Sequence, residues 1–180
     1  NTTNSKGMDY LYYGTKIQLF VYAKAIKVNI DKKLFGAFYL PISNSFSKNG
    51  ENNYSFSGFF EDNIQKVLFC DSNLSTENPQ SKILNVSLAK VSSDGEIKLK
   101  RKQNIFSKEN LNACLEYSVA IVKETIINIK MGYIECSPMK EKCKYCEYNQ
   151  ICKNAFNELI ERTENVEVSK EKYMEIDYGN

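Results

Sequence analysis

The chain has 180 residues, enough for one domain with a real core, and its 42% hydrophobic and 26% charged content is ordinary for a globular protein. A formal net charge of +2 sets up no strong global field for nucleic acid, so any DNA contact must come from a local patch. The absence of His excludes Cys–His zinc fingers, His acid–base chemistry and Ser–His–Asp triads, leaving carboxylates, Lys, Tyr and Cys as the available chemistry. No apolar run reaches the roughly 18 residues of a membrane span, and no signal peptide is visible. The first residue is Asn1 rather than Met, and we expect the chain to start inside a longer polypeptide.

Asp9 to Lys27 reads as one helix: Tyr12, Thr15, Leu19, Tyr22 and Ile26 recur at helical spacing, and Ala23 and Ala25 favour helix. Leu34 to Leu40 is rich in aromatics and ends at Pro41, which predicts a buried strand. A polar loop from Ser43 to Asn53 follows. Tyr54-Ser-Phe-Ser-Gly-Phe-Phe60 alternates with period two and predicts a half-buried strand paired with the previous one. Asp62 stands where an N-cap belongs, before a short helix through Lys66 to about Phe69. Ser72 to Ser81 is a second polar loop.

Val86 to Val91 and Ile97 to Lys100 flank Ser-Ser-Asp94-Gly95, the signature of a hairpin turn. Lys98, Lys100 and Lys102 alternate with Ile97 and Leu99 in its second strand, so its polar face is basic. That pattern suits a solvated edge strand guarded by Lys, or more sharply a nucleic-acid or subunit contact. Ser107 caps the longest helix, to about Lys130; Leu111, Cys114, Leu115, Ser118, Val122, Ile126 and Ile129 form one stripe of core packing, and Gly132 sits at the C-cap. Phe156 to Arg162 reads as a terminal helix. The order of elements makes an α/β fold, with a small central sheet packed by the two long helices and left with an exposed edge.

Of six cysteines, Cys70 and Cys114 are isolated in apolar surroundings and read as small core residues. Crowding of the other four into one segment points to a reducing, cytoplasmic compartment rather than a secreted disulfide scaffold. Cys143-Lys-Tyr-Cys146-Glu-Tyr-Asn-Gln-Ile-Cys152 has the pattern C-x2-C-x5-C, which lets two thiolates bind from a single turn with a third close behind. Thiolates suit zinc and iron–sulfur clusters alike, and spacing does not separate them. Cys136 lies near enough to complete a local all-cysteine set, so zinc is the alternative, with Tyr145 and Tyr148 packed around the site.

Several segments, in order, resemble the C-terminal part of the AddB family: B subunits of bacterial ATP-dependent helicase–nucleases, within the RecB-like group. Tyr12-Tyr-Gly-Thr-Lys-Ile-Gln18-Leu-Phe-Val-Tyr22 is similar to the helix carrying that group's Q-x-x-x-Y motif. Gly36-Ala-Phe-Tyr-Leu-Pro41 is similar to its next strand, and Tyr54 to Phe60 with Glu61-Asp62-Asn63 to the segment after it. Phe106-Ser107 with the long helix, Gly132-Tyr-Ile and the cysteines complete the series through Cys152.

The resemblance implies a partial restriction-endonuclease-like PD-(D/E)XK core, a small mixed sheet packed by two long helices, over residues 1–153, then a helix and tail over 154–180. It implies a Mg2+- and ATP-dependent deoxyribonuclease, acting as an exonuclease in double-strand break repair and recombination. Its partners would be DNA and the helicase–nuclease A subunit, with no membrane. It further implies a 4Fe-4S cluster whose ligands include Cys143, Cys146 and Cys152, the fourth lying far upstream, so that the cluster staples the two ends of a domain. The family's acidic-x-Lys segment precedes the Q-x-x-x-Y helix, so the catalytic metal ligands are expected upstream of Asn1. Gln18 and Tyr22 remain, lining the cleft, and this chain alone is expected to be inactive. The alternatives are a zinc-stapled DNA- or protein-binding module and a structural docking domain for a helicase subunit.

Overall fold

The computed structural model describes residues 7–30, 32–40, 55–90, 97–100, 104–133, 138, 142–148 and 150–152. Its elements run α1 (Gly7–Tyr12), α2 (Gln18–Asn29), β1 (Gly36–Tyr39), β2 (Ser57–Glu61), α3 (Ile64–Cys70), β3 (Leu88–Lys90), β4 (Ile97–Leu99), β5 (Ile105–Phe106) and α4 (Lys108–Lys130), followed by a 3-10 turn at Lys142–Tyr145.

The helix expected from Asp9 to Lys27 is two helices. Gly14 breaks it, at a φ of +70 that side chains with a Cβ avoid. Its amide donates to the Leu11 carbonyl at 3.0 Å, and the Thr15 amide donates to the Tyr10 carbonyl at 2.9 Å, ending α1 in a left-handed turn. A Cβ at Gly14 would lie 3.1 Å from Ile121 Cγ2, so the same glycine lets α4 approach. The Tyr117 hydroxyl then donates to the Tyr12 carbonyl at 2.6 Å, tying α1 to α4.

Along α2, Phe20 and Ala23 face inward, whereas Tyr22 and Ile26 are exposed. Phe20 stacks on Phe59 with ring centroids 4.1 Å apart. Lys24 pairs with Glu116 and Lys27 donates to Asn112, so numbers rising along α2 meet numbers falling along α4. The two helices are therefore antiparallel neighbours.

β1 and β2 pair antiparallel, as their alternation predicts, with Ala37 opposite Phe59. Gly58 is required there, because a Cβ would fall 2.1 Å from the Ala37 carbonyl oxygen. β5 adds to β2 in parallel, giving a mixed sheet in the order β1-β2-β5. Alternation sends Phe59 and Phe106 to one face, where they pack with Phe20, Ala23, Leu11, Leu111, Cys114 and Leu115. Phe60 and Ile105 take the other face, with Val67, Leu74, Leu84, Val86 and Leu99. The sheet thus has helices on one side and, on the other, α3 and the antiparallel β3–β4 hairpin. Among the described residues no further strand pairs with β1 or β5, which are the sheet's edges.

The cap of α3 is Asn63 rather than Asp62: its side chain accepts the Lys66 amide at 3.1 Å. Ser107 caps α4 as expected, accepting the Asn110 amide at 3.1 Å, and Gly132 follows its end at a φ of +76. The α4 stripe is buried only through Ser118; Ile126 and Ile129 are exposed, because α2 and the sheet cover only the first half of the helix. Cys114 is buried but Cys70 is exposed, against the core reading of both. Cys70 ends a seven-residue helix whose inward face is set by Val67, one turn earlier. The segment expected as a plain polar loop closes on a buried pair: Ser81 Oγ donates to Asp71 Oδ2 at 2.6 Å and accepts the amides of Ile83 and Leu84. The Asp94-Gly95 turn, the loop from Ser43 to Asn53 and the helix expected at Phe156 to Arg162 lie outside the described residues.

Candidate functional site

Gln18 opens α2 and Tyr22 stands one turn later on the same face. Gln18 Nε2 donates to Tyr22 Oη at 2.9 Å, and Tyr22 is 56% exposed. The pair is outward because Phe20 and Ala23 commit the opposite side of the helix to the core. A phenol that accepts one hydrogen bond keeps its own O–H, so Tyr22 can still donate to an incoming oxygen acceptor such as a phosphate. Ile26 prolongs the row by another turn and is exposed too. The sequence reading placed Ile26 at the same helical spacing; its exposure follows from the phase of α2 set by Phe20.

Among the described residues no group of three carboxylates or thiols gathers to hold a metal. Glu61 Oε2 holds Lys66 Nζ at 2.8 Å across the start of α3. Asp71 is buried against Ser81, and Glu116 pairs with Lys24. Asp62 is exposed. Of the other acidic candidates, the Asp9 side chain, Asp31 and Glu96 lie outside the described residues.

The cysteine segment forms two close turns. The Cys146 amide donates to the Cys143 carbonyl at 3.3 Å, and the Cys152 amide to the Tyr148 carbonyl at 2.8 Å. The expected convergence of Cys143, Cys146 and Cys152 is not seen: among the described residues no three His, Cys, Asp or Glu side chains stand together to hold a metal. Cys136 lies outside the described residues. Tyr145 and Tyr148 do not enclose the thiols; they are 85% and 66% exposed. Ligand loops of this kind have little apolar packing of their own, and ion binding supplies the force that draws their thiolates together. Their thiols have the chemistry to hold a metal or cluster, and among the described residues they are not gathered into a site.

A family model described as the PD-(D/E)XK nuclease superfamily matches residues 2–153. The chain belongs to the PD-(D/E)XK nuclease superfamily. Its mixed sheet flanked by helices agrees with the restriction-endonuclease-like fold of that superfamily. PD-(D/E)XK nucleases in general depend on divalent metal. The chain is similar to the B subunit of the ATP-dependent helicase/deoxyribonuclease of Clostridium kluyveri, 28% identical over 163 residues, covering 79% of this chain and 14% of that protein. It is similar also to the corresponding B subunit of Desulforudis audaxviator, 24% identical over 179 residues, covering 87% of this chain and 14% of that protein. The chain therefore spans about one seventh of the length of these curated relatives. No helix among the described residues is long and apolar enough to cross a membrane.

Proposed function

We propose that this chain is the C-terminal part of the nuclease module of a helicase–nuclease B subunit, which degrades DNA ends in double-strand break repair alongside an A subunit. Gln18 and Tyr22 form the part of its substrate-facing wall that this chain supplies. The observation that carries the reading is their hydrogen-bonded, outward pairing at 2.9 Å on a helix sealed to the core by its other side. A surface Gln and Tyr without a task would gain little from being held together.

The proposed division of labour is specific. Mg2+, held by carboxylates outside this chain, would supply an activated water and positive charge near the phosphate. Gln18 fixes the orientation of the Tyr22 hydroxyl, and Tyr22 donates its proton into a hydrogen bond with a phosphate oxygen, positioning the backbone without exchanging that proton. Three of the described carboxylates serve the fold: Glu61 ties Lys66, Asp71 closes the loop after α3 and Glu116 joins α4 to α2. The chain alone is accordingly inactive.

The test uses the full-length protein. Tyr22→Ala is expected to lower DNA cleavage by about tenfold or more, a loss of about 1.4 kcal/mol in transition-state stabilisation, with ATP hydrolysis retained. Cleavage unchanged in both Gln18→Ala and Tyr22→Ala would remove this face from the site.

The resemblance to B subunits also supports a 4Fe-4S staple using Cys143, Cys146 and Cys152 with a ligand far upstream in the longer polypeptide. Its role would be to hold the domain together. Iron and sulfide in the purified full-length protein support it; zinc in their place would favour a local site that includes Cys136.

A further inference from the structure

The segment 82–102 carries six Lys and Arg against two Asp and Glu, a formal +4, while the whole chain is only +2. The rest of the molecule is thus left at −2, and the positive charge is concentrated on one hairpin and its flanks. The described part of that hairpin organises the charge. Lys98 lies opposite Ala89, and the Lys100 amide donates to the Ser87 carbonyl at 2.8 Å, so both lysines rise from the same face. Both are exposed, whereas Leu99 between them is buried in the core below the sheet. Ser87 and Ala89 make the floor between the lysines small, and Gln80, bridged to Ser87, extends it with a neutral side chain. β3 and β4 hold no acidic residue.

A face of this kind has long cations over a flat floor of small groups. It admits a polyanionic backbone closely. Lys98 and Lys100 are two strand residues apart, about 6.8 Å, so their ammonium groups can reach neighbouring phosphates on one DNA strand. Leu99 belongs to the core on the face of β2 opposite Phe59 and Phe20, so the lysine face lies across the sheet from Gln18 and Tyr22.

We propose that the outer face of the β3–β4 hairpin is a second nucleic-acid contact, which holds DNA phosphates through Lys98 and Lys100, independent of sequence and remote from the Gln18–Tyr22 face. The proposal rests on the DNA-processing reading above and deepens it. The contact contributes affinity and register rather than chemistry.

The experiment measures binding of this 180-residue chain to a fluorescein-labelled duplex by anisotropy over a series of salt concentrations. Each phosphate contact contributes about 0.9 to the slope of log affinity against log salt, so Lys98→Gln/Lys100→Gln should flatten the slope by roughly 1.8. Each single variant should give about half of that, and Lys98→Arg/Lys100→Arg should restore it, with far-UV circular dichroism unchanged throughout. Salt-dependent binding by the unsubstituted chain with the same slope in the Gln variants would overturn the contact and leave the DNA reading standing. No salt-dependent binding by the unsubstituted chain would overturn the contact as well. The nuclease reading is judged separately, by cleavage in the Tyr22→Ala full-length protein.

Discussion

At Gly14 the absence of one carbon decides where a helix stops and how near another can come. Gly14→Ala forces a left-handed residue at about 1–2 kcal/mol and pushes against Ile121 Cγ2 at 3.1 Å. Urea denaturation should show a loss of at least that size; an unchanged midpoint would mean that α1 and α2 can fuse without cost. The break was not legible because the heptad-like spacing of Tyr12, Leu19, Tyr22 and Ile26 runs straight across it, and one Gly inside a periodic run is tolerated more often than it terminates. Cysteine reading shows the same limit. Cys114 shares a stripe with Leu111, Leu115 and Ser118, and the stripe fixes its burial. Cys70 ends the apolar run Val67-Leu68-Phe69, but that run includes Phe69, which is 92% exposed, and Asp71 follows it. At Tyr22 the proposed role lies in the hydroxyl. Tyr22→Phe in the full-length protein should therefore slow cleavage nearly as much as Tyr22→Ala; retention of full activity would shift the role to the ring.

Among the elements, α4 was the most legible, because its cap, its stripe and its terminal glycine agree with one another. Ser107→Ala removes the acceptor of the Asn110 amide and should cost about 1 kcal/mol in chemical denaturation. No loss would mean that the first turn of α4 finds another partner. The α2 helix was legible as a helix but not in its orientation. Leu19, Tyr22 and Ile26 share a face as well as Phe20, Ala23 and Lys27 do, and hydrophobicity favours the first set. Tertiary partners reverse that choice: Phe59 receives Phe20 by stacking, and Glu116 and Asn112 on α4 receive Lys24 and Lys27. In the sheet, Gly58→Ala sets a methyl 2.1 Å from the Ala37 carbonyl oxygen, so β1 and β2 must separate. The expected loss is about 2 kcal/mol or more, above that of the Ser107 cap, and equal losses would mean that β1 is not firmly paired.

For the molecule as a whole, the succession of helix, strand, strand, helix, hairpin and long helix was readable from period alone. The parallel joining of β5 to β2 was not, since two residues, Ile105 and Phe106, display no period. Yet that joining builds both cores, because it sets Phe106 beside Phe59 and Ile105 beside Phe60. The Q-x-x-x-Y pair was readable as residues and as spacing; its hydrogen bond and exposure follow from the rotation of α2. The cysteine pattern was equally plain, but no local packing force brings its thiols together. The central claim is that this chain supplies one wall of a nuclease site and not its metal ligands, with Glu61, Asp71 and Glu116 engaged in the fold. The measurement that tests it most directly is cleavage of linear and single-stranded DNA with Mg2+ or Mn2+, by the chain alone and by the full-length protein in the same buffer. Cleavage by the full-length protein and none by the chain is the expected result. Cleavage by the chain alone that disappears on Glu96→Ala would contradict it, since the active site, with Glu96 in it, would then lie inside this chain.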